Sequence, residues 1–174
     1  AMLLAVGVAG CSSNPVEPKS NPAASAAGKF EKEILVPTRI RVYVGTYTNG
    51  DSQGIYQFDL DVTTGKATEP TLAAEAKNPS FVAIHPSGKY LYSVSEVADF
   101  DGKKTGGVSA YSIAADSGAL TLLNSTPSGG RGPCHLVTDQ AGKNVLVANY
   151  SEGSIACIPI NEDGSLAEAS AVIQ

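Results

Sequence analysis

The residues of this chain able to do chemistry are few: two histidines, three cysteines and twelve lysines and arginines against seventeen acidic residues. His135 follows a glycine-rich stretch, Ser128-Gly129-Gly130-Arg131-Gly132, by two residues. An imidazole there can take a proton from water attacking a carbonyl. It can equally hydrogen-bond a ligand hydroxyl, or brace the loop through a backbone carbonyl. Arg131 lies inside the glycine-rich stretch, where a guanidinium suits bidentate recognition of carboxylate or phosphate. Lys103 and Lys104 are the nearest cationic pair upstream; Glu96, Asp99 and Asp101 flank them, so a solvated loop is the competing reading. Asn149, Tyr150 and Tyr47 stand where apolar runs give way to turn residues. They are candidate ligand contacts, or a turn-forming Asn and packing tyrosines. His85 precedes Pro86 in a tight turn and reads as structural. No spacing of Cys, His or carboxylates suggests a metal site, and neither a phosphate-binding loop nor a nucleophile elbow is present. No cofactor is expected.

These positions take their meaning from the elements that carry them. Asn78–Lys89 (NPSFVAIHPSGK) and Gly132–Lys143 (GPCHLVTDQAGK) share a proline, an apolar alternation and a closing Gly-Lys at a spacing of 54. KYLYSVSEV from Lys89 then matches KNVLVANYS from Lys143, and GVSAYSIAADSGAL from Gly107 matches GSIACIPINEDGSL from Gly153. An earlier copy begins with RVYVGTYT at Arg41 and continues with GIYQFDLDVTTGK at Gly54. Each unit holds short runs alternating at period two, rich in Val, Ile, Tyr and Phe, with Gly-containing turns between them. Four antiparallel strands at a spacing of about fifty residues predict an all-β fold built of propeller blades.

With strands lettered A to D from the axis outward, the blades run over 39–77, 78–131 and 132–174. The first is expected to have only B (Ile40–Thr46), C (Gly54–Asp61) and D (Thr71–Ala76), without an inner strand; the second has A to D at Phe81–His85, Tyr90–Glu96, Val108–Ile113 and near Leu120–Ser125, and the third at Cys134–Asp139, Asn144–Asn149, Ser154–Ile160 and near Leu166–Ile173. Closed propellers have four to eight blades, so about three blades predict the N-terminal portion of a longer protein. The loops joining D to A and B to C share one face, where propellers usually meet ligands. That face is expected to carry Tyr47–Gln53, Lys77–Ser80, Glu96–Gly106, Pro127–Cys134 and Asn149–Gly153, and with them every candidate residue above except His85, on the opposite face, and His135, which starts the inner strand of the third blade beside the glycine-rich loop.

The N-terminus has a different character. Met2–Val8 is apolar and too short to span a bilayer as a helix. Val8-Ala9-Gly10-Cys11 resembles a bacterial lipobox, in which cleavage leaves a lipid-modified Cys11 at the new terminus. Residues 1–11 therefore read as a truncated lipoprotein-type leader, with an ordinary signal peptide as the alternative. Residues 12–38, rich in Ser, Pro, Asn and Ala, read as a flexible tether, its last part from Phe30 able to lie against the domain. Export to a periplasmic or cell-surface membrane follows. Cys134 and Cys157 fall on non-adjacent strands of one sheet and are expected to be small buried thiols. A net charge of −5 without a basic run excludes binding to a nucleic-acid backbone.

The motifs Tyr43-Val44-Gly45-Thr46-Tyr47, NPSFVAIHPSGKYLYSVSE and PCHLVTDQAGKNVLVANYSEGSI, each followed by an Asp/Gly turn, resemble the seven-bladed propeller lactonases. That family includes bacterial 6-phosphogluconolactonases of the propeller type and carboxymuconate-lactonizing enzymes. The resemblance runs from about Ile40 to Gln174 and implies hydrolysis or formation of a sugar- or acid-derived lactone without a metal. It implies a pocket at the mouth of the central channel, and catalytic His, Arg and Glu residues in later blades. Residues 1–174 alone are then expected to be inactive. An exported protein sits awkwardly with a phosphogluconolactone, a cytoplasmic metabolite. Another lactone, or a non-catalytic propeller binding a sugar acid or protein partner, is the alternative.

Overall fold

The computed structural model describes residues 7–8 and 37–174. Cys11 and the tether up to residue 36 lie outside the described residues. Three four-stranded antiparallel sheets follow one another along the chain. The first joins β1 (Gly7–Val8), β2 (Arg39–Val44), β3 (Gly54–Asp61) and β4 (Thr71–Glu75) in that order. The second joins β5 (Val82–Ile84), β6 (Tyr90–Ser95), β7 (Gly107–Ile113) and β8 (Leu120–Pro127). The third joins β9 (Pro133–Thr138), β10 (Asn144–Asn149), β11 (Ser154–Pro159) and β12 (Ala171–Ile173). No described helix is long and apolar enough to cross a membrane.

The inner position of the first blade, expected to be empty, holds the two-residue β1. It pairs with Val42 and Tyr43 alone, against six register pairs between β2 and β3. The segment belongs to the apolar run read as a leader. The outer strand of the third blade, expected from Leu166 onward, is the short β12; Leu166 instead forms a single bridge with Ile160.

Period-two alternation sends successive side chains to opposite faces, and the blades stack on those faces. Leu91 and Tyr111 of the second sheet pack with Tyr43 and Ile55 of the first. Their strand neighbours Tyr92, Val94, Val108 and Ala110 pack with Leu136, Val145, Val147 and Ile158 of the third. The second sheet is thus covered on both sides, which is why five of the six residues of β6 are buried. Bulges at Ile55/Tyr56 and at Ala110/Tyr111 fall at matching places between third and fourth strands, where they add the twist a blade needs.

The repeat also places a polar staple between blades. Tyr43 donates its hydroxyl to the carbonyl of Gly118 at 2.7 Å, and Tyr92 donates to Gly164 at 3.0 Å. Each acceptor glycine turns the chain between third and fourth strands of the next blade with positive φ, 70° and 85°. The equivalent position in the third blade is Leu146, which is exposed.

Candidate functional site

The loops expected on one face are drawn together, and hydrogen bonds tie each to its neighbour. Glu96, just past β6, donates its backbone N–H to Asn78 O at 3.0 Å. The Asn78 amide in turn reaches Glu96 O at 3.3 Å, and its side-chain oxygen accepts from Thr48 N at 2.9 Å. Asn78 holds φ at 44°, a left-handed conformation that Asn tolerates better than most residues. On the other side, Gly132 N donates to Val97 O at 3.1 Å and Gly106 N to Gly130 O at 2.7 Å. Gly45 fits because its backbone lies against Pro79: a Cβ there would sit 1.9 Å from the Pro79 carbonyl oxygen.

On this frame three side chains converge. Tyr47 donates its hydroxyl to Glu96 Oε2 at 2.8 Å, and Ser80 donates to the same oxygen. Ser80 is buried, Glu96 half-buried and Tyr47 exposed. The Glu96 hydrogen bond pushes the Tyr47 phenol above its ordinary range, assisted by burial and the carboxylate's charge. In repeat register Tyr47, Glu96 and Tyr150 occupy one position in three blades. The carboxylate is the departure, and the chain's alternation gives no sign of it. In the sequence Glu96 stands only as one of the acidic residues flanking Lys103 and Lys104.

His135 is on β9 and meets Phe81, the residue after Ser80. Its ring packs on Phe81 at 4.3 Å between centroids, tilted by 52°. Phe81 is its repeat equivalent, so the two inner-strand positions touch around the axis. The bracing hydrogen bond considered for His135 is not formed, and neither ring nitrogen has a partner among the described residues. The side chain is exposed at the inner end of the uncovered face of the third sheet, where Ala148 is its register partner. His85, by contrast, bonds Gly142 O at 3.0 Å and Ser87 Oγ at 2.8 Å, which holds two turns together.

The cations do not gather. Arg131 pairs with Glu152 at 2.6 Å, and the guanidinium holds the Glu152 carboxyl below its ordinary range. The pair joins two rim loops, the one between β8 and β9 and the one between β10 and β11. Lys103 lines an outer groove with Asn124, Thr126 and Glu168 instead of sharing the Tyr47–Glu96 group. Its loop folds on itself through paired Phe100–Lys103 backbone bonds, both 3.0 Å. Lys104 is exposed on that loop. Asn149 is 1% exposed; its amide donates to Ser128 O at 3.0 Å and Ser154 Oγ at 3.2 Å, so it pins the glycine-rich loop. Tyr150 is 83% exposed at the rim.

The thiols of Cys134 and Cys157 are free, with β10 between their strands, but half-buried rather than buried. Cys157 lies on the open face of the third sheet, and Cys134 donates its thiol to Ala148 O at 3.8 Å. Among the described residues no group of three or more His, Cys, Asp or Glu could hold a metal ion.

Comparison with known proteins agrees with this geometry. Residues 41–174 match the family described as "Lactonase, 7-bladed beta-propeller". The chain is 46% identical over 124 residues to the 6-phosphogluconolactonase of Bacillus subtilis, covering 71% of this chain and 34% of that protein. A crystal structure of a putative 6-phosphogluconolactonase from Bacteroides fragilis superposes with a TM-score of 0.72 at 41% identity, over 79% of this chain and 37% of that one. The periplasmic gluconolactonase of Pseudomonas aeruginosa superposes with a TM-score of 0.71 at 32% identity, over 78% and 38%. The chain spans about a third of the length of these relatives. On the strength of the family match and the blades that carry it, the chain belongs to the seven-bladed β-propeller lactonases.

Proposed function

We propose that this chain supplies three blades and part of the channel-mouth site of a lactone hydrolase resembling 6-phosphogluconolactonase. The reading rests on the family match over residues 41–174 and on the inner-strand position of His135, whose ring packs on Phe81, the residue after Ser80 of the Tyr47–Ser80–Glu96 group. A neutral imidazole accepts a proton from water as the water oxygen bonds to the lactone carbonyl carbon. The tetrahedral intermediate collapses by breaking the ring C–O bond, and the imidazolium returns the proton to the departing alkoxide. The product is the open hydroxy acid. Relatives named for lactone hydrolysis support the same reaction class. The later blades, in this proposal, complete the pocket.

Each turnover releases acid, so a pH-stat assay on the full-length protein with gluconolactone and its 6-phosphate is direct. His135→Ala is expected to lower kcat roughly a hundredfold or more. Unchanged acid release removes His135 from catalysis. Absence of any lactone hydrolysis, with retained binding of a sugar acid, favours the non-catalytic binding propeller.

Export and anchoring are part of the same proposal: cleavage before Cys11 and lipid attachment to its thiol would hold the propeller at a membrane surface. Cys11→Ser should move the protein to the soluble fraction. Persistent membrane association of that variant overturns the anchor.

A further inference from the structure

We infer that Glu96 is a ligand-binding carboxylate that reads the hydroxyl groups of a polyhydroxylated lactone ring. This deepens the lactonase reading and rests on it for the word lactone, though not for the hydroxyls. Both Tyr47 and Ser80 donate to one oxygen, Oε2. The other, Oε1, has no partner among the described residues and is not sealed from solvent. The carboxylate is therefore fixed by two neutral donors while half of its accepting capacity remains open. A carboxylate is acceptor-only and has about four lone-pair sites, so Oε1 is free to take hydroxyl donors. The Tyr47 oxygen, its proton committed to Glu96, presents lone pairs as well. Two acceptors held side by side match two neighbouring hydroxyls of a sugar ring.

The surroundings exclude other ligand chemistry at this arc. Among the described residues no cation pairs with Glu96: Arg131 is engaged by Glu152 and Lys103 lies in the outer groove. An anionic substituent brought against an uncompensated carboxylate would be repelled, so any phosphate or carboxylate of the ligand must lie elsewhere around the channel. A lactone without hydroxyls would displace water from these acceptors and return no donor to them. The exposed Tyr47 ring supplies an apolar face for ring C–H groups.

The test is calorimetric binding to the full-length protein of two unreactive rings, the δ-lactam of gluconic acid and δ-valerolactam, which lacks hydroxyls. Wild type is expected to bind the polyhydroxylated lactam more tightly. Glu96→Gln and Glu96→Ala should weaken that lactam roughly tenfold to a hundredfold, the range for a hydrogen bond to a charged group. Affinity for δ-valerolactam should not move. Glu96→Gln keeps an acceptor for Tyr47 and guards against a folding defect, checked by an unchanged thermal midpoint. The inference is overturned if wild type does not prefer the hydroxylated ring, or if both rings lose affinity equally in Glu96→Gln. Because the lactams are not turned over, absent lactone hydrolysis would sink the catalytic reading while leaving this result to stand or fall separately.

Discussion

At the scale of single residues, function and support divide among side chains that looked alike in sequence. Asn149 and Tyr150 are neighbours at the end of one strand, yet one is sealed inside the loop and the other is almost free. The buried amide spends its N–H donors on Ser128 O and Ser154 Oγ while its own oxygen has no partner. Asn149→Ala should therefore cost about 1–3 kcal/mol in urea unfolding, the penalty for a stranded buried acceptor. Asn149→Asp should cost more, because a carboxylate would face the Ser128 carbonyl with no donor between them. Arg131→Ala, removing a half-exposed ion pair, should change stability by about 1 kcal/mol or less. The partition between the three residues was not legible beforehand, since burial depends on how far the glycine-rich loop folds over the strand end. Lys103 shows the same limit: a charge sequence cannot reveal that its loop closes into its own bridge and swings the side chain outward. Glu96 is the converse case, a site candidate visible only when the rim positions of two blades are brought within hydrogen-bonding reach.

At the scale of elements the strands were largely legible, because alternation, turn glycines and the repeat all point the same way. Gly54–Asp61 and Asn144–Asn149 fall where the alternation puts them, and the other strand ends move by a few residues. What the repeat did not announce is how one blade grips the next. Tyr43 and Tyr92 do so with hydroxyls bonded to turn carbonyls of the following blade. Burial is the main reason both phenols are pushed upward, and for Tyr92 the charges of Tyr90 and Asp163 add to it. A phenol with a raised value in the folded state holds its proton more tightly there than in the unfolded chain. Its contribution is complete below about pH 10, the ordinary tyrosine value, and is lost as pH rises through the folded value. Urea midpoints should accordingly fall above about pH 10, and Tyr92→Phe should flatten that fall while costing about 1 kcal/mol at neutral pH. The turn aspartates give the opposite limb. Asp139 is held low by the Asn144 side chain and the Lys143 N–H, and Asp61 by the Thr64 and Thr63 N–H groups. Their contribution is present above the ordinary carboxylate value and fades as pH falls below about 4.

At the scale of the whole molecule, the three sheets are not equally covered. The second sheet lies between two neighbours, but the far side of the third carries two register rows with nothing over them. His135, Ala148, Ile155 and Ile173 form one row; Val137, Leu146, Cys157 and Ala171 form the other. Val137, Leu146, Ile155 and Ile173 are all exposed, between 41% and 62%. Leu146 stands where Tyr43 and Tyr92 stand in the first two sheets, at the position that grips a following blade. A face with the pattern of an interior strand layer, displayed to water, favours association, since burying each such side chain contributes about 1.5–3 kcal/mol. Residues 1–174 expressed alone should therefore sediment with a concentration-dependent mass. Leu146→Lys with Ile155→Lys should restore a monomer, because two ammonium groups cannot be desolvated cheaply within one apolar layer. In a closed seven-bladed ring, as proposed above, the same pair of substitutions should unfold the propeller rather than solubilise it, because a neighbouring blade would pack on this face. A single concentration-independent mass for wild-type residues 1–174 would show that these rows are not adhesive, and the link between the open face and blade stacking would fail.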